Sequence, residues 1–415
     1  MTIFAILSIL VTLAALFGFV SRRILQLPVT IGTMILTLGC STLLLLVGYR
    51  VPVLQGWAFT LVSRIDFNAV VLHGLLAFLL FAGSLHLDLE EVRREKLSVL
   101  LLAIVSTVLS TLIVGAGLKL ILHVAGLQTP WLGCLLFGAL ISPTDPVAVL
   151  EMLQRVRAPH ALKAQLAGES LFNDGVGAVL FLSLLAASAG AGLPTPGHFI
   201  AILALQAGGG IALGVVLSYA TYRLLCIIDD FRVEVLLTLA LAMGGYALAD
   251  ALHVSMPLEA VTAGLLINGR AREFAMSPNT RSHVDQFWSL IDDILNAILF
   301  LLLGLEVLAV PLPIHRIEIG LCTIPIVLAA RFLSVAAVQV PLHWFKRRMA
   351  GTVLVLTWGG LRGSLSVALA LSLPRGQEHD LLLALTYIVV VASVVGQGST
   401  MSIPLRNLPV HTQEV

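Results

Sequence analysis

The 415-residue chain is 58% hydrophobic and 11% charged, with a formal net charge of +1 and a mean hydropathy of +1.01. No ordinary soluble domain has this composition. Apolar runs of about 20 residues recur almost from end to end, and no polar segment is long enough to fold apart, so one membrane domain of the all-α class is expected to fill residues 1–415.

Hydropathy, read against Gly, Pro and charge boundaries, predicts about thirteen spans near 2–20, 28–48, 67–86, 97–124, 130–153, 160–188, 198–227, 233–252, 255–269, 287–309, 314–341, 350–373 and 381–404. The first lacks a basic leader and a small-residue cleavage site, and is read as a retained span. The stretch "VPVLQGWAFTLVSRIDF" is left as interfacial because Arg64 and Asp66 interrupt it; twelve spans is the alternative count. Cys40, Cys134, Cys226 and Cys322 lie singly in apolar runs, a pattern that suits packing and neither a disulfide framework nor a zinc or iron–sulfur site.

Basic residues test this partition. Sixteen Lys and Arg fall in alternate loops, beginning with Arg22 and Arg23, against five in the others, which predicts the N-terminus outside and the C-terminus, with Arg406, in the cytoplasm. Arg331 and Arg362 remain, each well inside an apolar run. A charge at the bilayer centre costs about 2.5–3.5 kcal/mol even on a lenient scale, so both need partners or a polar cavity. The deepest acids are Asp145, Glu169 and Asp174, with Asp292, Asp293 and Glu306 as further candidates; Glu259, near a span start, is read as interfacial.

Two spans carry interruptions. In "SPTDPV" the prolines each remove a donor and crowd the preceding turn, so the fifth span should break, with Asp145 as N-cap, Pro146 as first helical residue, and the freed carbonyls around Thr144 facing a cavity. In "WGGLRG" three glycines surround Arg362, which is expected to compensate the negative end of the first half of that twelfth span. Broken spans at corresponding places in two halves point to an ion or substrate site. Spans 5 and 12 are seven apart, so two inverted six-helix repeats are expected, about 2–188 and 233–404, linked by the span at 198–227.

The first half of the sixth span carries "GESLFNDG". Ser170 and Asp174 are i and i+4 on one helix face; Glu169 and Asn173 share the face about 100° around. A hydroxyl and a carboxylate are hard ligands for a small cation, which assigns Ser170 and Asp174 to an ion path, while Glu169 suits a buried arginine through bidentate hydrogen bonds. A buried ion pair that only stabilises the bundle is the plainer reading of Glu169 and Asp174.

"GESLFNDG", "SPTDPVAV", "WGGLRGSLSVALAL" and "FWSLIDDILNAILFLLLGLEVL" resemble, in order, the NhaP branch of the cation:proton antiporters, which includes the animal sodium/proton exchangers. The resemblance implies a sodium/proton antiporter of about thirteen helices with crossed broken helices 5 and 12, a homodimer, multi-pass in a bacterial inner membrane among lipid. It implies no enzymatic activity, no cofactor beyond transported Na+ or Li+ and H+, and no nucleic-acid partner. By the same resemblance Asp174 carries the ion beside Asn173, Ser170, Thr144 and Asp145 belong to the ion site, with Asp174, Ser170 and Thr144 as ligands of transported Na+. Glu169 pairs with Arg331, and Arg362 is the arginine of the broken twelfth helix.

Two departures are visible. Some relatives carry a glutamate in the third span, where this chain has Ala82 and Gly83, and many eukaryotic relatives add a cytoplasmic regulatory tail that is not expected here. Because Asn173 stands where electrogenic relatives have a second aspartate, one cation per proton is expected. Potassium/proton exchange on the same fold is the near alternative. A passive cation channel and an intramembrane aspartyl protease are more distant; the protease lacks its paired Tyr-Asp and Gly-x-Gly-Asp motifs.

Overall fold

The computed structural model describes residues 3–48, 66–156, 158–188, 196–310, 312–345 and 351–405. Most of the stretch read as interfacial, and the C-terminal residues from Arg406, lie outside these. Among the described residues all regular structure is helical except one antiparallel bridge, Asp145 with Leu361.

In chain order the helices are α1 (Ile3–Val20), α2 (Val29–Gly48), α3 (residues 67–85), α4 (Leu89–Arg94), α5 (Lys96–Val124), α6 (Trp131–Ile141), α7 (Val147–Arg155) and α8 (His160–Ala186). They continue as α9 (Pro196–Leu225), α10 (Phe231–Ala251), α11 (Met256–Leu266), α12 (Pro278–Leu305) and α13 (Ile314–Phe345). The last three are α14 (Thr352–Gly359), α15 (Ser364–Leu371) and α16 (Gln377–Val391), which runs on through a π-turn, Ala392–Gln397, to Leu405.

Eight helices among the described residues are long and apolar enough to cross a membrane. The exceptions have local causes. α6 and α7 are halves of one interrupted span, as are α14 and α15, while α12 starts earlier than hydropathy predicts, because Ser277 caps it through the Thr280 amide and Pro278 occupies its first turn.

The helices pack in two groups. α5, α6, α8, α13, α15 and α16 form one, with α14 against α13; α1, α2, α3, α10, α11 and α12 form the other, where α9 lies against α11. Lipid tails are as apolar as leucine, so close packing and hydrogen bonds, rather than exclusion from water, hold such helices together. Trp288 of α12 shows both: it is fully buried against Phe81, and its indole N–H donates to Thr238 of α10 at 3.0 Å.

Glu259 stands in the first turn of α11, as its place near a span start predicts, and is fully buried there by the close crossing of α9, α10 and α11; a Cβ placed on Gly245 of α10 would lie 2.1 Å from its carboxyl oxygen.

Candidate functional site

The fifth span stops at Ile141 and restarts at Val147. Pro143 and Pro146 forbid helical hydrogen bonding between, so each peptide group there needs another partner. Those partners come from α8 and from the other broken span. Thr144 is held three ways by α8: its N–H donates to Asn173 Oδ1 at 3.2 Å, its hydroxyl accepts from Asn173 Nδ2 at 2.8 Å, and its carbonyl accepts from the Ser170 hydroxyl. The Asp145 N–H donates to the Leu361 carbonyl at 2.8 Å, the bridge that ties the two interruptions together. Asp145 also caps α7, but the helix starts one residue later than expected: Oδ1 accepts from the Val147 N–H at 3.0 Å, and Pro146 precedes the first helical residue.

The twelfth span breaks between Gly359 and Ser364. The Arg362 guanidinium does not serve its own half-helix as expected. It crosses to the C-terminal end of α6, where Nη1 donates to the carbonyls of Ser142 at 2.5 Å and Pro143 at 3.1 Å. The end of α14 is met instead by Arg331, whose Nη2 donates to the Leu356 carbonyl at 3.0 Å. The negative ends of the two half-helices thus each receive a buried guanidinium, from a span other than their own.

Arg331 also makes a bidentate pair with Glu169, Nη1 to Oε1 and Nη2 to Oε2, the latter at 3.0 Å, with the side chains 4% and 1% exposed. Gly360 makes this possible, since a Cβ there would lie 2.6 Å from Arg331 Nε.

A clamp that the sequence reading missed closes the twelfth-span break. Ser393 accepts from the Arg362 N–H at 3.0 Å and donates to Gln397 Oε1 at 2.6 Å, and Gln397 Nε2 reaches the Trp358 carbonyl at 3.3 Å. Both residues sit on the π-turn of α16, four apart. Two polar residues at that spacing inside an apolar run were the available signal.

Beside the crossing lies a cavity of about 970 Å³. Thr144, Asp145, Ser170 and Asp174 line it, with Asp292, Asp293 and Asn296 from α12; Glu169, Asn173, Arg331 and Arg362 lie behind its wall. Gly83 lines it as well, so α3 offers no carboxylate at that point. Arg22, His86, Gln154, His160 and Lys163 line it too, all at helix ends or loops on the face predicted to be cytoplasmic.

Sequence and structure comparisons place this arrangement among known proteins. Residues 8–407 match the family described as sodium/hydrogen exchanger, transmembrane. The chain is 43% identical to the Na(+)/H(+) antiporter NhaP of Pseudomonas aeruginosa over 405 residues, covering 96% of this chain and 95% of that protein. It is 33% identical to the Na(+)/H(+) antiporter NhaH of Halobacillus dabanensis over 350 residues, 82% of this chain and 84% of that protein. Its fold is similar to that of the sodium proton antiporter MjNhaP1 from Methanocaldococcus jannaschii at pH 8, with a TM-score of 0.73, 18% identity and 97% of each chain covered.

Proposed function

Since the chain belongs to the transmembrane sodium/hydrogen exchanger family, a family of transporters and not of enzymes, we propose that it exchanges Na+ for H+ by letting one carboxylate, Asp174, bind either a proton or a dehydrated cation. The observation that carries this reading is a division between two acids five residues apart. Glu169 has its charge met by Arg331 behind the wall, whereas Asp174 opens on the cavity beside the broken fifth span. Thr144, Asp145 and Ser170 supply further oxygens there, and hard oxygen donors suit an alkali cation. Asn173, fully committed to Thr144, acts as a positioning residue for the interrupted backbone.

Competition for one site couples the two fluxes, and a single exchangeable carboxylate makes the exchange one for one and electroneutral. The cavity mouth lies among predicted cytoplasmic loops, so the conformation described is the inward-open one, and movement of the α5–α6–α8–α13–α15–α16 group against the other presents Asp174 to the far side. The helix order supports thirteen crossings in two inverted repeats, with α9 between them, in a homodimer of the inner membrane.

The test uses proteoliposomes loaded with a pH-sensitive dye. Sodium should drive proton movement in the wild type and not in Asp174→Asn, with both proteins equally folded, and no current should accompany exchange. Surviving exchange in the variant overturns the role of Asp174; a voltage-dependent reversal point overturns the stoichiometry. Parallel runs with Li+ and K+ set the selectivity.

A further inference from the structure

Of the three carboxylates of α12, Asp285 pairs with Arg272, while Asp292 and Asp293 are not used by either buried arginine: Arg331 is taken up by Glu169 and Leu356, and Arg362 by Ser142 and Pro143. Asp292 and Asp293 nevertheless line the cavity, on a helix of the group that does not carry Asp174. Asp292 Oδ1 accepts from Asn296 Nδ2 at 3.1 Å, and Asn296 is itself 3% exposed, so one turn of α12 holds this carboxylate in a fixed direction.

A second observation falls at the same place. Thr30 of α2 also lines the cavity; it is 6% exposed, and its hydroxyl oxygen is buried with no hydrogen-bond partner among the described residues. A buried hydroxyl without a partner costs about 1–3 kcal/mol, so it calls for something to bind. Register puts it near the acids. A Cβ on Gly304 of α12 would lie 2.6 Å from Thr37 Cβ of α2, and both helices start at the face where the cavity opens. Seven residues back along each, Thr30 stands level with Ala297, next to Asn296 and about one turn from Asp293.

We propose a second cation site here, formed by Asp292, Asp293, Asn296 and Thr30, where a partly hydrated alkali cation is held before it passes to Asp174. The donors are all oxygens, with no His or Cys among them, which selects a hard cation over a transition metal. Asp145 lines the same cavity as Asp292 and Asp174. The moving core then finds its ion concentrated on the opposing wall, an effect of charge lining a low-dielectric cleft. This inference rests on the antiport reading above.

Full-length protein in proteoliposomes and in detergent separates the two. With sodium supplied at the cavity mouth, Asp292→Asn should raise the half-saturating concentration about tenfold and Thr30→Val about threefold, with the maximal rate largely kept. Asp174→Asn should stop exchange yet still bind one Na+ per chain by calorimetry, and Asp174→Asn with Asp292→Asn should bind none. Unchanged half-saturation in both single variants, or no Na+ binding by Asp174→Asn, overturns the second site and leaves the antiport reading standing. Exchange that persists in Asp174→Asn overturns the antiport reading instead. Thr30→Val removes one buried hydroxyl at constant volume and keeps the test sound if Asp292→Asn folds poorly.

Discussion

Asn68 of α3 donates its side-chain amide to the Ala368 carbonyl of α15 at 3.0 Å, a hydrogen bond that joins the two helix groups. α3 runs from there to the cavity mouth near His86, so this contact lies about 27 Å from the opening at 1.5 Å per residue. On the alternating-access reading proposed above, this bond would hold the far side shut. Opening that side must break it, and a net hydrogen bond of about 1 kcal/mol is a factor of about five in the equilibrium. Asn68→Ala should therefore speed labelling of Val71→Cys by an impermeant maleimide applied from the face opposite the mouth. An unchanged rate would mean that the seam is held elsewhere.

The Glu169–Arg331 pair should behave as a coupled unit. Glu169→Gln leaves a buried guanidinium without its counter-charge, and breaking such a pair from one side costs about 3–5 kcal/mol. Replacing both partners, as in Glu169→Gln with Arg331→Met, should unfold at a higher temperature in detergent than Glu169→Gln alone. Equal loss in single and double variants would argue against coupling.

Gly363 bears on Asp145 directly. A Cβ there would lie 2.7 Å from Asp145 Cβ and 2.8 Å from Oδ2, so Gly363→Ala must displace the carboxylate that faces the cavity, a strain of about 1–3 kcal/mol. Exchange should fall sharply. Gly244→Ala, where a Cβ meets nothing within 4 Å, serves as the control and should exchange normally.

The clamp on α16 predicts an order among variants. Gln397→Leu abandons both Ser393 and the Trp358 carbonyl, whereas Gln397→Glu still accepts from Ser393 but sets a buried carboxylate oxygen against that carbonyl. Exchange rates should rank wild type, then Leu, then Glu, because an uncompensated buried charge costs more than the about 1–3 kcal/mol of a neutral group left unmatched. A Glu variant that outruns Leu would mean that the clamp is open to water.

Both interruptions were legible in the sequence because Pro143, Pro146 and the glycines around Arg362 act within a turn of themselves. That Glu169 meets a buried arginine followed from the few acids deep enough to do so, while the choice of Arg331 over Arg362 came from the family resemblance. The destination of Arg362 was not. Which half-helix a guanidinium caps depends on how two spans cross, and no residue near Arg362 encodes that. The burial of Glu259 was not legible for a similar reason: it is imposed by α9 and α10. The Ser393–Gln397 clamp and Asn68 went unnoticed because uncharged side chains cost less than ions inside a membrane and stand out less.

The partners of the two buried arginines lie far back in the chain. Glu169 precedes Arg331 by 162 residues, and the Ser142 carbonyl precedes Arg362 by 220. A polypeptide made from its N-terminus therefore has the acid and the open carbonyls in the bilayer before either cation is synthesised. A chain released before residue 331 has no cationic partner for Glu169 or for the carbonyls at the end of α6, so the pairing that closes the two broken spans waits on the last quarter of the chain.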